Sequence, residues 1–170
     1  RSAAVAWDIG TGTGVLAAML ARRGVPQVIA TDHAERALAC ARENVARLGF
    51  GAQVDVVQAD LFPPGRAPLI VCNPPWVPAR PSSPLEFAVY DPDSRMLRGF
   101  ARSGAEVVLI SSRPEALEGP TKRWLKDFGI DYDWLHLVPR GVSFETHIKR
   151  TLAEHKGDLL IAALVHDPRL

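Results

Sequence analysis

The chain has 170 residues, of which 47% are hydrophobic, and this content is enough for a single sizeable core. No apolar run approaches the roughly 20 residues of a membrane-spanning helix, and the first residues lack the pattern of a signal peptide. A net charge of +1 without a basic tract does not indicate a dedicated nucleic-acid binder. We therefore expect a soluble, monomeric, cytoplasmic protein that does not bind membranes.

Strand-like apolar runs alternate with helical patterns through the first half of the chain. The second helix carries an apolar face made of Leu38, Ala41, Val45 and Leu48. This alternation is typical of a parallel sheet with helical crossovers. The predicted strands cover residues 3–8, 27–32, 54–60 and 69–73, and the predicted helices cover 13–23 and 34–48.

The second half continues the same alternation after a long loop at 74–95, which is rich in Pro and Ser. We predict one α/β domain over residues 1–170, a three-layer αβα sandwich with a mainly parallel, doubly wound, Rossmann-like sheet. Because helix-length segments separate its strands, the second half should add parallel strands only. The predicted strands are 106–111, 134–138 and 159–165, and the predicted helices are 120–128 and 144–155.

A glycine-rich turn, "DIGTGTG", joins the first strand to the first helix. Gly10, Gly12 and Gly14 permit the unusual backbone angles of a tight turn and let a ligand touch the main chain. The helix that follows offers unpaired N–H groups at its start. The third glycine falls one place earlier than in the fingerprint that binds a pyrophosphate, so this turn suits a cofactor without phosphates.

Acidic residues stand where the next two strands end. Asp32 closes the second strand, and such folds place a carboxylate there against ribose hydroxyls. Asp60 closes the third strand beside Leu61 and Phe62, which could flank an adenine ring. Each acid also has a local interpretation, Asp32 as a helix N-cap and Asp60 as a turn residue. Because three strand ends carry such groups, the pattern favours a ligand at the carboxyl edge of the sheet.

The fourth strand ends in "NPPW", residues 73–76. The amide oxygen of Asn73 and the backbone carbonyl of Pro74 can accept both hydrogens of a planar NH2 group. Pro75 stiffens this turn, and Trp76 can stack on a flat amide or base. The alternative is a proline turn that merely ends a strand and buries a tryptophan.

With "DIGTGTG", "ATD", "QADLF" and "NPPW" in this order, residues 1–99 resemble class I S-adenosylmethionine-dependent methyltransferases of the Asn-Pro-Pro-aromatic branch. Members of that branch methylate glutamine amides of release factors or amino groups of nucleic-acid bases. The resemblance implies S-adenosylmethionine as cofactor and a protein glutamine or a base as acceptor. It implies that Asp32 binds the ribose, Asp60 and Leu61 the adenine, and the glycine turn the methionine part through Asp8, Gly10, Thr11, Gly12 and Gly14. It also makes Asn73, Pro74, Pro75 and Trp76 the catalytic residues.

The two halves differ in composition, because all four lysines lie beyond residue 99. Chance and a helix-poor second half explain this shift, and so does a junction near residue 98 between sequences of different origin. Residues 100–170 resemble the second half of haloacid-dehalogenase-like phosphatases. By that resemblance Ser111 binds phosphate, Lys149 or Lys156 pairs with it, and Asp167 contributes to a magnesium site.

The phosphatase pattern is incomplete. Asp8 could stand at the nucleophile position, but Gly10 replaces the second acid, and His166 stands where an acid is common. A generic αβ tail, and a folded chimeric domain without activity, therefore remain alternatives. Neither the cysteines nor the other histidines have metal-ligand spacing, so we expect no metal site. These residues are Cys40, Cys72, His33, His136, His147 and His155.

Overall fold

The computed structural model describes residues 4–75, 80–83, 86, 90–102, 107–143, 146–147, 150–151 and 159–165. The chain divides into two compact units, Arg1–Asn73 and Pro74–Leu170, and each is described by itself. The division lies at residue 73, whereas the two predicted halves met near residue 99. The single domain over residues 1–170 remains a prediction.

The first unit contains a four-stranded parallel sheet in the order β3-β2-β1-β4. Helices α1 and α2 connect the first three strands and pack against them. The predicted alternation of strands and helices is therefore confirmed in this unit. Its elements are β1 (Val5–Ile9), α1 (Val15–Arg22), β2 (Gln27–Asp32), α2 (Glu35–Arg47), β3 (Val54–Gln58) and β4 (Leu69–Cys72).

Small and β-branched side chains form the core between these helices and strands, so the backbones can approach closely. Helix α2 buries the predicted face at Leu38, Ala41 and Val45. Leu48, predicted on the same face, is 53% exposed, because the helix ends at Arg47 and the chain turns away. The buried cluster consists of Ala6, Ala17, Ala21, Val25, Val28, Ala30, Val45 and Val54.

Among its described residues, the second unit contains three strands in the order β7-β5-β6, and β5 pairs in parallel with both neighbours. The prediction of parallel strands in the second half is thus confirmed for the pairings of β5 with β6 and β7. The predicted helix 144–155 falls mostly outside the described residues, of which 146–147 and 150–151 are helical. The elements are α3 (Arg95–Ala101), β5 (Val107–Pro114), α4 (Glu118–Asp127), β6 (Trp134–Val138) and β7 (Leu159–Val165).

Helix α3 was not predicted, because its start follows an unusual turn. Asp93 and Ser94 both have positive φ, 58° and 52°. The carboxylate of Asp91 accepts hydrogen bonds from the backbone N–H groups of Met96 (3.0 Å) and Leu97 (3.4 Å). Asp91 therefore caps α3 from outside the helix, a role that a side chain next to the first turn normally fills.

The predicted α/β class is confirmed: both units consist of parallel strands joined or flanked by helices, a Rossmann-like arrangement. Within the described residues, no helix has the length and hydrophobicity to cross a membrane.

Candidate functional site

The strand order of the first unit reverses beside β1. The chain passes from β1 outward to β2 and β3, and then returns to the other side of β1 to form β4. Ligands of open α/β sheets bind at the carboxyl ends of the strands beside such a reversal. Because Ile9 of β1 is the register partner of Cys72 of β4, Gly10 and Asn73 leave the sheet at the same level.

The glycine turn needs its glycines for their backbone angles. Gly10, Gly12 and Gly14 have φ values of 66°, 56° and 81°, which side-chain-bearing residues adopt at a cost. A Cβ on Gly14 would lie 3.2 Å from both Cα and Cβ of Ala41, so this glycine also lets α2 approach. A Cβ on Gly12 would meet nothing within 4 Å. The turn is therefore open at Gly12.

Asp8 stabilises this turn from inside. It is fully buried, and its Oδ2 accepts hydrogen bonds from the Thr11 hydroxyl (2.6 Å) and from the backbone N–H of Ala17 in the first turn of α1 (2.9 Å). Its Oδ1 is buried and has no hydrogen-bond partner among the described residues. Desolvation raises the pKa of Asp8 to about 6 against these hydrogen bonds, and the charge of Asp32 raises it further.

Asp32 connects the glycine turn to the start of α2. Its Oδ2 accepts a hydrogen bond from the backbone N–H of Gly12 at 3.0 Å, and its Oδ1 accepts one from Ala34 at 2.9 Å. The second bond is the local contact that the N-cap interpretation expected, although the helix itself begins at Glu35. The first bond brings together two residues that the sequence assigned to one site.

The loop after β3 is attached to β2. The Thr31 hydroxyl donates a hydrogen bond to the backbone carbonyl of Leu61 at 2.9 Å, and the N–H of Ala59 donates one to the carbonyl of Asp32 at 3.1 Å. Leu61 has a φ of 69°, while Asp60 beside it is exposed. Sequence reasoning missed Thr31. The available signal was a hydroxyl at a buried strand position directly before Asp32.

The "NPPW" residues are described only in part. Asn73 is exposed at the end of β4, which leaves its amide accessible. Pro74 is fully buried and Pro75 is half-buried. Trp76 lies outside the described residues. Their assignment as catalytic residues remains a prediction, as does the assignment of the cofactor-binding residues.

The residues singled out in the second half do not form a comparable cluster among those described. Ser111 is buried in the middle of β5, and its hydroxyl accepts a hydrogen bond from the N–H of Arg113 at 3.1 Å. The rings of His136 and His147 lie 6.4 Å apart. The described part of the chain contains no group of three or more His, Cys, Asp or Glu residues able to hold a metal. The predicted residues Lys149, His155, Lys156, His166 and Asp167 lie outside that part.

Known proteins resemble this chain over the segment that carries the site. Residues 2–84 match the family model of the methyltransferase small domain. That segment contains the glycine turn, the acids at the strand ends and the "NPPW" residues. The match supports the resemblance to class I methyltransferases.

Two curated relatives extend this finding. Release factor glutamine methyltransferase of Cereibacter sphaeroides is 40% identical over 127 residues, which cover 72% of this chain and 45% of the relative. tRNA1(Val) (adenine(37)-N6)-methyltransferase of Bacteroides thetaiotaomicron is 42% identical over 74 residues, 41% of this chain and 31% of the relative. This chain thus spans less than half the length of either relative.

A solved methyltransferase structure from Pyrococcus furiosus superposes with a TM-score of 0.36 at 28% identity, over 42% of this chain and 38% of that chain. The match to the C. sphaeroides relative covers more of this chain than residues 1–99 contain, so methyltransferase similarity continues past the suspected junction. The match to this relative does not support a phosphatase-like second half.

Proposed function

We propose that this protein transfers a methyl group from S-adenosylmethionine to a planar amide or exocyclic amine nitrogen. The observation that carries the proposal is the hydrogen bond between Gly12 and Asp32, at the edge of the sheet where Asn73 also emerges. Relatives whose names specify a glutamine and an adenine methyltransferase support the reaction class.

The residues present fit this cofactor. An ionised carboxylate has about four acceptor positions, and the two hydrogen bonds to Asp32 occupy one on each oxygen. The Asp32 side chain is 10% exposed, so its remaining positions can accept bonds from ribose hydroxyls. The open space at Gly12 lets a ligand approach the main chain.

Asp8 contributes a buried negative charge below the turn. Its Oδ1, which has no partner among the residues that the structure describes, is the atom that a cationic ammonium group, or a water bound to one, would satisfy. Since its pKa is about 6, the carboxyl is mainly ionised at neutral pH, and a nearby cation would favour that form. We assign the methionine part of the cofactor to this side of the turn, with Thr11 and the three glycines.

The loop at Asp60 and Leu61 is assigned to the adenine. The exposed carboxylate of Asp60 can accept a hydrogen bond from the exocyclic amine. Leu61, and Phe62 after it, are half-buried and offer apolar contact to a flat ring.

When bound, S-adenosylmethionine would supply an electrophilic methyl group on a positively charged sulfur. The demethylated cofactor, a neutral thioether, is the leaving group. Asn73 holds the acceptor nitrogen by accepting one of its hydrogens. The carbonyl of Pro74 is assigned to the other hydrogen, and because Pro74 is buried, this carbonyl must become accessible when the acceptor binds. Both bonds direct the nitrogen lone pair and stabilise the positive charge that develops there. The nitrogen then releases a proton to solvent, which reaches Asn73 because its side chain is exposed.

The acceptor is proposed as either a glutamine in a protein or a base in a nucleic acid, since the named relatives include both kinds. Both present a planar NH2 group, and the residues around Asn73 recognise that shared group. A monomeric state and a cytoplasmic location remain predictions.

The test combines binding with transfer. Titration calorimetry with S-adenosylhomocysteine measures cofactor binding, and labelled S-adenosylmethionine is then offered with a glutamine-containing release-factor peptide and, separately, with tRNA. We expect saturable binding and label in one acceptor. Binding without transfer to either acceptor would leave the alternative of a folded domain without activity, and absence of binding would contradict the proposal. A phosphatase assay with magnesium tests the remaining alternative.

A further inference from the structure

Thr31 contacts both loops that the proposed function assigns to the cofactor. It is the penultimate residue of β2 and is fully buried. Its backbone carbonyl accepts a hydrogen bond from the N–H of Thr11 in the glycine turn at 2.8 Å. Its hydroxyl donates to the carbonyl of Leu61, thirty residues along the chain, at 2.9 Å. One strand residue therefore fixes the spacing of the two loops.

The hydroxyl of Thr31 holds Leu61 in an unfavourable backbone conformation. At a φ of 69°, Leu61 pays the steric cost that a left-handed residue with a Cβ incurs. Such a conformation persists only where surrounding contacts enforce it. Two hydrogen bonds enforce it here, the one from Thr31 and the one that ties Ala59 to the carbonyl of Asp32. Both bonds anchor the loop to the end of β2.

The anchored conformation determines where the carboxylate of Asp60 stands. Asp60 lies between the two attachment points, Ala59 and Leu61, so its backbone has little freedom while both bonds hold. Valine has nearly the same shape as threonine, so the space that Thr31 fills does not by itself require a hydroxyl, which when buried needs a hydrogen-bond partner. The hydroxyl of Thr31 is needed for its hydrogen bond to Leu61 in the loop after β3.

We infer that Thr31 is a positioning residue that sets the selectivity of the site for the adenine part of its ligand. The inference rests on the proposed function and adds a residue that does not itself touch the ligand. Without the hydroxyl, the carbonyl of Leu61 loses its partner and the strained backbone can relax. Asp60 then no longer stands where it can accept a bond from the exocyclic amine, while the glycine turn keeps its own contacts to Asp8 and Asp32.

The experiment compares two ligands in three variants. The ligands are S-adenosylhomocysteine and its inosine counterpart, in which a carbonyl oxygen replaces the exocyclic amine. The variants are Thr31→Val, Thr31→Ser and Thr121→Val. Thr121 is the control, because it is also buried and its hydroxyl also donates to a backbone carbonyl, that of Leu117 four residues earlier, at 2.7 Å, away from the glycine turn and residues 59–62. Hydrogen–deuterium exchange of residues 59–62 without ligand gives a second readout.

We expect Thr31→Val to reduce the preference for the adenosine ligand about tenfold, the effect of one lost hydrogen bond, and to speed exchange at residues 59–62. Thr31→Ser keeps the hydroxyl and should retain the preference even if its melting temperature falls. Thr121→Val should leave both readouts unchanged.

The inference would be overturned if Thr31→Val kept the wild-type preference for the adenosine ligand or the wild-type hydrogen–deuterium exchange at residues 59–62. Loss of that preference in Thr31→Ser would also overturn it. The serine variant keeps the test decisive if the valine variant does not fold. Wild-type protein that binds neither ligand would contradict the proposed function, and with it the role of Thr31 in selectivity. Hydrogen–deuterium exchange without ligand would still show whether the hydroxyl of Thr31 holds the loop at residues 59–62.

Discussion

The backbone N–H of Gly12 donates a hydrogen bond to Oδ2 of Asp32 across 3.0 Å, joining the turn after β1 to the end of β2. The contact connects residues twenty positions apart, and it depends on the parallel pairing that brings both strand ends to one edge. A carboxylate in this place presents its remaining acceptor positions beside the open space at Gly12.

The first prediction concerns Asp32. S-adenosylhomocysteine should raise the melting temperature of the wild-type protein by mass action, and Asp32→Ala should reduce that rise because the ribose loses its acceptor. The ligand-induced shift is the relevant measurement, since the mutation also removes bonds to Gly12 and Ala34. Asp55→Ala, on the exposed side of β3, is the control. An unchanged shift in Asp32→Ala would remove Asp32 from the ribose role.

The second prediction separates the glycines of the turn. Gly14→Ala should destabilise the protein by more than about 1 kcal/mol, because positive φ and crowding against Ala41 act together. Gly12→Ala carries the conformational cost alone, and its methyl group occupies open space where a ligand should bind. Gly49→Ala, with positive φ and open surroundings, supplies the baseline.

Urea unfolding and titration with S-adenosylhomocysteine measure the two effects. Gly14→Ala should lower the free energy of unfolding more than Gly49→Ala does. Gly12→Ala should lose more free energy of ligand binding than free energy of unfolding. Equal affinity of Gly12→Ala and wild type would place the ligand away from this turn.

Most of the first unit was predictable from local patterns. Strands buried on both faces read as apolar runs, and glycines at alternate positions indicate a turn with positive φ. Asp32 could be assigned to the site because the carboxyl ends of parallel strands share an edge. The hydroxyl of Thr31 at a buried strand position was a visible signal, but its bond to Leu61 spans thirty residues, and a local pattern does not identify such a partner.

Helix α3 shows why the second unit was harder to predict. A Ser at the start of a helix normally indicates an N-cap, but Ser94 has positive φ and its hydroxyl is buried without a hydrogen-bond partner among the described residues. The cap comes from Asp91 instead, which bonds residues five and six positions later. Standard start signals assume a closer capping residue, so the sequence analysis predicted no helix over residues 95–101.

The third prediction tests whether Asp91, and not Ser94, caps helix α3. Asp91→Ala should lower the free energy of unfolding by about 1–2 kcal/mol, because Met96 and Leu97 lose their acceptor. Ser94→Ala should change it by less than about 0.5 kcal/mol, since the hydroxyl has no hydrogen-bond partner in the described part of the chain. Urea unfolding of both variants measures the difference. A larger loss in Ser94→Ala than in Asp91→Ala would contradict the assigned cap.

The fourth prediction concerns the pH dependence that Asp8 contributes. Because burial raises its pKa from 3.8 to about 6, the folded protein holds a proton that the unfolded chain has released between these values. The contribution of Asp8 to stability is therefore highest below pH 4, falls as the pH rises to about 6, and is constant above. The total change is up to about 3 kcal/mol.

Asp8→Asn removes this titration. The free energy of unfolding of the variant, minus that of the wild type, should therefore increase as the pH rises from 4 to 6.5. Comparing two proteins at each pH cancels the titration of the other groups. A difference that stays constant over this range would mean that Asp8 is ionised throughout, with its Oδ1 satisfied by a group such as bound water.

The last prediction concerns the reaction at Asn73. Asn73→Ala should leave the affinity for S-adenosylhomocysteine nearly unchanged, because the side chain is assigned to the acceptor and not to the cofactor. Methyl transfer should fall about 100-fold or more, the usual effect of removing one bond that stabilises developing charge. Asn73→Asp keeps an acceptor oxygen and should lose less. Both variants are assayed with labelled S-adenosylmethionine beside the calorimetric titration. A loss of cofactor affinity in Asn73→Ala that matches its loss of rate would place Asn73 in the cofactor site instead.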